Sequence, residues 1–135
     1  MTCSPVAPDP ESVEEQIRIF NASEFARLLS MEILEAGEGY SRVIMDCAGK
    51  MNPGGVAHGG DIFALADQAF GIAANCCGVH RVAVSVSIHY ISPAKGKLVA
   101  VARRVADNGS CDTYRVMVHE GERPIAEFTG VAFRV

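Results

Sequence analysis

The chain has 135 residues, 49% of them apolar, with 12 basic against 16 acidic side chains and a formal charge of −4. That length suits one domain able to bury roughly two-thirds of its unfolded surface. The acidic balance argues against a nucleic-acid binder, which needs a net basic face to release counterions, and no apolar run approaches the roughly 20 residues that span a bilayer.

In chain order, residues 1–10 carry Pro5, Pro8 and Pro10 around Asp9. They read as a flexible arm that lacks the basic start and apolar centre of a signal peptide; residues 11–135 read as a single domain. From Glu11 to about Phe20, Val13, Ile17 and Phe20 recur at helical spacing, with Ser12 as a candidate cap. A second short helix is expected in "NASEFARLLS", capped by Asn21 or Ser23. "MEILEAGEGYSRVIMDCAG" reads as two strands joined at Gly37-Glu38-Gly39. A Pro-Gly loop then leads into a helix from about Gly60 to Cys76, rich in Ala64, Ala66, Ala69, Gly71, Ala73 and Ala74.

After Gly78 the pattern is strand. "RVAVSVSIHYISP" alternates, which places Val82, Val84, Val86, Ile88 and Tyr90 on one face and Ala83, Ser85, Ser87 and His89 on the other. "KLVAVARRVAD", "CDTYRVMVHE" and "RPIAEFTGVAFRV" follow, separated by the turns "DNGS" and "EGER". A helix with so many small side chains, followed by antiparallel strands, predicts an α+β domain whose curved sheet wraps that helix. Such a sheet leaves an edge to be covered or paired, so a homo-oligomer is expected.

Cys3, Cys47, Cys76, Cys77 and Cys111 make an odd count without a CxxC. They read as free thiols in a reducing, cytoplasmic compartment, the adjacent Cys76 and Cys77 as packing residues. No His/Cys spacing supports a metal site, and His89 and His119 read as surface or pocket-lining residues on strands.

The chemistry concentrates in "NPGGVAHGGDIFALADQAFGIAAN", residues 52–75. A helix start leaves N–H groups without partners and carries about half a positive charge. Gly59 and Gly60, bare of side chains, let a ligand oxygen approach those groups, which suits an oxyanion hole or a plain glycine turn. Asp67 falls among Phe63, Ala64, Ala66 and Phe70 on the apolar stripe, with no Lys or Arg in the helix to pair with it. A buried carboxylate there has a raised pKa suited to a base, unless it only bonds a loop or a tyrosine. Asp61, in the first turn, is accounted for by the helix dipole. Asn52, held out of helical conformation by Pro53, is either a turn asparagine or a carbonyl or water ligand, and His58 can donate to a carbonyl or orient Asn52.

"NPGGVAHGG", Asp67 and "SIHYISPAKGKLVAVARRV" together resemble the hotdog-fold acyl-CoA thioesterases, closest to the phenylacetic-acid-degradation branch, from about Glu24 to Val135. The resemblance implies hydrolysis of acyl-CoA to the acid and free CoA, without a cofactor or metal. Gly59 N–H would polarise the thioester carbonyl, Asn52 would help hold the reacting group and His58 would support it. Asp67, as general base or nucleophile, would face Gly59 across a dimer interface, in a dimer or tetramer.

Gly60, Ala83, Val84, Ser92, Pro93, Ala94, Lys95 and Gly96 fall where relatives bind acyl-CoA. Ala83 departs from the pattern, since many relatives carry Ser or Thr there to orient water; Ser85 and Ser87 would share its face. Lys95, Lys97, Arg103 and Arg104 form the densest basic cluster and are candidates for CoA phosphates, with Phe63, Phe70, Phe20 and Leu28 as acyl-pocket candidates. The alternative is a non-catalytic acyl-CoA sensor with the same pocket. A dehydratase, which needs a histidine paired with a carboxylate, has only His58 near the helix.

Overall fold

The computed structural model describes residues 10–135; the proposed arm at 1–10 lies outside them but for Pro10. The elements are α1 (Pro10–Asn21), α2 (Glu24–Leu28), β1 (Glu32–Gly37), β2 (Tyr40–Asp46), α3 (Gly59–Asn75), β3 (Arg81–Tyr90), β4 (Lys97–Asp107), β5 (Cys111–Glu120) and β6 (Arg123–Arg134). The strands form one antiparallel sheet in the order β1-β2-β4-β5-β6-β3. β3 therefore crosses to the far edge beside β6 rather than lying next to β4.

The helix composition explains how closely the sheet wraps it. Ala64, Ala66, Ala69, Ala73 and Ala74 are all buried, and Leu65 and Ile72 are inaccessible to solvent. Small side chains let strand backbones approach, and at one point the sheet answers with a glycine. A Cβ on Gly130 would stand 2.9 Å from the Phe70 ring. Phe70 meets the Tyr114 and Phe128 rings with centroids 5.4 and 5.7 Å away, contacts worth about 0.5–1.5 kcal/mol each beyond area burial. Ser41 Oγ adds a bond to Ala69 C=O (2.6 Å) from the other side.

A charged network sits under the C-terminal end of α3. The Arg81 guanidinium lies 2.7 Å from the Asp112 carboxylate and donates to Ala74 C=O (2.6 Å). Tyr114 donates to Asp112 at 3.2 Å, with Arg104 3.5 Å from the same oxygen. Asp112 is fully buried, and breaking such a pair from one side leaves an uncompensated charge. Cys76 Sγ–H donates to Gly37 C=O (2.8 Å), and burial pushes its thiol up to about 12; this is a packing role. Cys47, Cys76, Cys77 and Cys111 are all free thiols.

The strict alternation expected along β3 fails at one residue. Ala83 pairs with Ala132, but Ser85 pairs with Val131, so Val84 is the extra residue of a β-bulge. A bulge re-aims every side chain beyond it. Ala83, opposite buried Ala132, faces the helix; Ser85 and Ser87, opposite Val131 and Thr129, face away. After the bulge Val86, Ile88 and Tyr90 lie on the helix side, opposite Gly130, Phe128 and Ala126. Ser85 and Ser87 thus do not share the face of Ala83. As the outermost strand, β3 also leaves Val82, Val84 and Val86 49%, 59% and 38% exposed.

Candidate active site

The loop before α3 is tied to the segment after β3. Ala57 N–H donates to Ala94 C=O (2.7 Å), His58 N–H to Lys50 C=O (3.1 Å), and Cys47 N–H to Gly96 C=O (2.9 Å). Lys95 and Gly96 direct their own N–H groups at the Glu120 carboxylate, bonds that hold its pKa below the usual range. Ala94 is fully buried. Of the predicted ligand-binding stretch, Ala94, Lys95 and Gly96 therefore spend their backbone groups on the scaffold, whereas Ser92 and Pro93 reach a cleft.

That cleft, about 270 Å³, is lined by Gly59, Ala57, Ile62, Tyr90, Ser92 and Pro93 among others. At its mouth, α3 begins with His58 as N-cap in extended backbone (φ −61°, ψ 138°). His58 C=O accepts the Asp61 and Ile62 N–H groups, and His58 Nδ1 accepts Gly60 N–H at 3.0 Å. With Nδ1 accepting, Nε2 is the ring nitrogen left to donate. Tyr90 Oη donates to Gly59 C=O at 2.9 Å. Gly59 N–H is left with no acceptor among the described residues, at the positive end of a 17-residue helix.

These contacts sort the expected residues. Gly59 offers the free donor; Gly60 does not, because His58 already holds its N–H. His58 acts as the helix cap and makes no bond to Asn52. Asn52 Oδ1 accepts from Gly54 and Val56 N–H (2.9 and 3.3 Å), closing its own loop. This is the turn-asparagine reading, with the side-chain nitrogen left over.

Asp67 lies eight residues along the same helix, about 12 Å away at 1.5 Å per residue. It lines a different cleft of about 180 Å³, with Phe70, Asn75, Arg81, Ala83 and Ala132. The sequence pattern predicts a buried carboxylate, but in the single protomer Asp67 is exposed, because the sheet covers the opposite side of α3. Neighbouring apolar groups still desolvate it and raise its pKa. Phe63 and Phe70 pack into the core, Phe63 edge-on to Phe128 at 5.6 Å, and Leu28 stands 74% exposed.

The buried carboxylate of α3 is Asp61, only 6% accessible, with neither oxygen hydrogen-bonded among the described residues. Burial raises its pKa, opposed by the charges of Lys50 and His58. It lines a cleft of about 430 Å³ with Phe25, Leu29, Met51, Lys50 and His58. The dipole accounts for its charge but not for its burial. The sequence assigns Asp61 to the helix dipole, and nothing local in it marks the contacts of Tyr90, Arg81 or Asp112. The basic cluster splits as well. Arg103 stacks outward 4.9 Å over the Tyr40 ring, while Arg104 turns inward to Asp112 and Tyr114 and cannot reach a ligand phosphate. A further cleft of about 310 Å³ along β2 and β4 contains, of the expected residues, only Lys97.

A curved antiparallel sheet around one helix, with a bare N–H at the helix entrance, is an arrangement that suits acyl transfer, and sequence comparison names the family. The family model of the thioesterase superfamily matches residues 54–124. A putative esterase of Archaeoglobus fulgidus is 38% identical over 121 residues, 87% of this chain and 79% of its own length. The acyl-coenzyme A thioesterase PaaI of Escherichia coli is 31% identical over 82% of this chain and 81% of its own. The structure of the E. coli PaaI protein superposes with a TM-score of 0.85, covering 93% of this chain and 94% of that one, at 25% identity. A Streptococcus mutans protein solved with acetyl-CoA bound superposes at 0.72, with 28% identity, over 78% of this chain and 88% of its own. The chain belongs to the thioesterase superfamily and is a PaaI-like thioesterase of the hotdog fold.

Proposed function

We propose that the chain hydrolyses acyl-CoA thioesters to the carboxylic acid and free CoA, working as a dimer or higher oligomer. The observation that carries this reading is the unpartnered Gly59 N–H at the entrance of α3, beside an open cleft. The thioester carbonyl oxygen accepts from that N–H and gains negative charge as water adds. A preorganised donor of this kind is typically worth about 3–4 kcal/mol of barrier. Asp67 removes the proton from the attacking water; the tetrahedral intermediate then collapses, the C–S bond breaks, and the CoA thiolate leaves and takes up the proton. The E. coli relative's name and the acetyl-CoA in the S. mutans neighbour support CoA as the carrier.

Asp67 and Gly59 of one protomer line separate clefts about 12 Å apart along the helix, too far to act on one carbonyl. Pairing of two copies places Asp67 of one against Gly59 of the other. The exposed valines of outer strand β3 supply an apolar edge for that pairing. Asn52 contributes through its free amide nitrogen, Ser92 and Pro93 as cleft wall, and exposed Lys95 and Lys97 as candidates for CoA phosphates.

The test is thiol release from a panel of acyl-CoA substrates by the parent and Asp67→Asn. Turnover should fall about 10²–10⁴-fold with acyl-CoA still bound. Turnover at the parent rate would refute the assignment. Binding without turnover by the parent would make the protein a sensor.

A further inference from the structure

The peptide unit joining Gly59 and Gly60 is held from both ends. Its carbonyl accepts from Tyr90 Oη at 2.9 Å, and its N–H donates to His58 Nδ1 at 3.0 Å. Two adjacent glycines have the widest backbone freedom of any dipeptide, so a helix entrance made of them is undefined unless something fixes it. His58 is local, two residues away. Tyr90 is the long-range anchor: it stands at the end of β3, on the helix side because the bulge at Val84 put it there. Its ring also packs against the Gly59 backbone, with Oη and Cζ at contact distance, 3.4 Å, from where a Cβ on Gly59 would stand.

Resting on the thioesterase reading of Gly59, we infer that Tyr90 is a positioning residue for the oxyanion donor. By clamping the Gly59–Gly60 peptide against His58, it aims the neighbouring Gly59 N–H into the cleft lined by Tyr90, Ser92 and Pro93. The phenol bonds to the carbonyl of Gly59, not to the peptide that carries the Gly59 N–H, so its action is geometric rather than electronic. Such a clamp acts on the transition state, where donor placement matters most, and leaves ground-state binding almost untouched.

Tyr90→Phe removes one hydroxyl from a half-exposed side chain and leaves the ring in place, so folding is not at risk. Thiol release from the best acyl-CoA should show kcat lower by about tenfold, or about 1.4 kcal/mol of barrier, with KM within about twofold. Amide hydrogen exchange followed by NMR should show Gly60 exchanging several times faster while β5 and β6 amides keep the parent rate. Loss of kcat without faster Gly60 exchange, or faster exchange with parental kcat, overturns the clamp. Asp67→Asn in the same assay separates the two readings. If it keeps full turnover, the site assignment fails; if it is inactive while Tyr90→Phe matches the parent in both measurements, only the clamp fails. Should the parent release no thiol, the thioesterase reading falls, and with it the role of Tyr90 in aiming a catalytic donor.

Discussion

Ala83 on β3 and Asp67 on α3 line the same cleft of about 180 Å³, and the extra residue Val84 is what separates the face of Ala83 from that of Ser85. Without that bulge, Ala83, Ser85 and Ser87 would all share one face of the strand. A hydroxyl at 83 would therefore stand where it can hold water for the Asp67 carboxylate. Ala83→Ser is expected to raise kcat roughly threefold to tenfold, the worth of about one hydrogen bond. Ser85→Ala and Ser87→Ala, on the outward face, should leave kcat unchanged. Steady-state thiol release by the three variants checks this, and a larger effect at 85 than at 83 would contradict the register.

Asp61 carries a cost that its burial makes pH-dependent. Its folded-state pKa is raised by desolvation, so the folded protein holds this proton more tightly than the unfolded chain does. The penalty is absent below the ordinary carboxylate value of about 3.9 and fully present above the raised one. Asp61→Asn should therefore stabilise the fold at pH 7 by about 1 kcal/mol, with the gain shrinking as pH falls towards 4. Urea denaturation at pH 7 and pH 4.5 measures both; a variant less stable than the parent at pH 7 would show that the helix dipole outweighs desolvation here.

Gly130→Ala tests the closest approach of sheet and helix. The added methyl would stand 2.9 Å from the Phe70 ring, which is itself wedged between Tyr114 and Phe128. A loss of about 1–3 kcal/mol is expected. Phe70→Leu in the same chain should recover part of it, a non-additivity that thermal unfolding of the two single variants and the double variant will reveal.

Val84→Lys places a charge on the apolar β3 edge at its most exposed valine. If the proposed pairing holds, it should convert the parent species to a slower-sedimenting one in analytical ultracentrifugation and abolish thiol release together. An oligomer of unchanged mass would move the subunit contact elsewhere.

What was legible in the chain was local. The His58-Gly59-Gly60 entrance, the small-residue face of α3, the turns at Gly39 and Gly109 and the strand runs all depend on neighbours within a few residues, and the structure places them close to where the pattern does. The entrance even held a missed clue: a histidine directly before two glycines is placed to cap, and His58 does so at the expense of Gly60.

Pairwise partners far along the chain were another matter. Arg103 and Arg104 are adjacent, yet one stacks on Tyr40 and the other reaches Asp112, because successive strand residues face opposite sides and only the sheet order says which side is inside.

The amino-acid sequence by itself determined an α+β fold with a bare helix entrance and a carboxylate two turns on, since caps, glycines and periodicities act over a few residues. Tertiary structure alone decided that Val84 bulges, that Asp61 rather than Asp67 is buried in the protomer, and that Tyr90 reaches Gly59. Each of those outcomes turns on β3 lying beside β6 and on which flank of α3 the sheet and the preceding loop cover. Contacts between segments so far apart in the chain leave no periodicity to read.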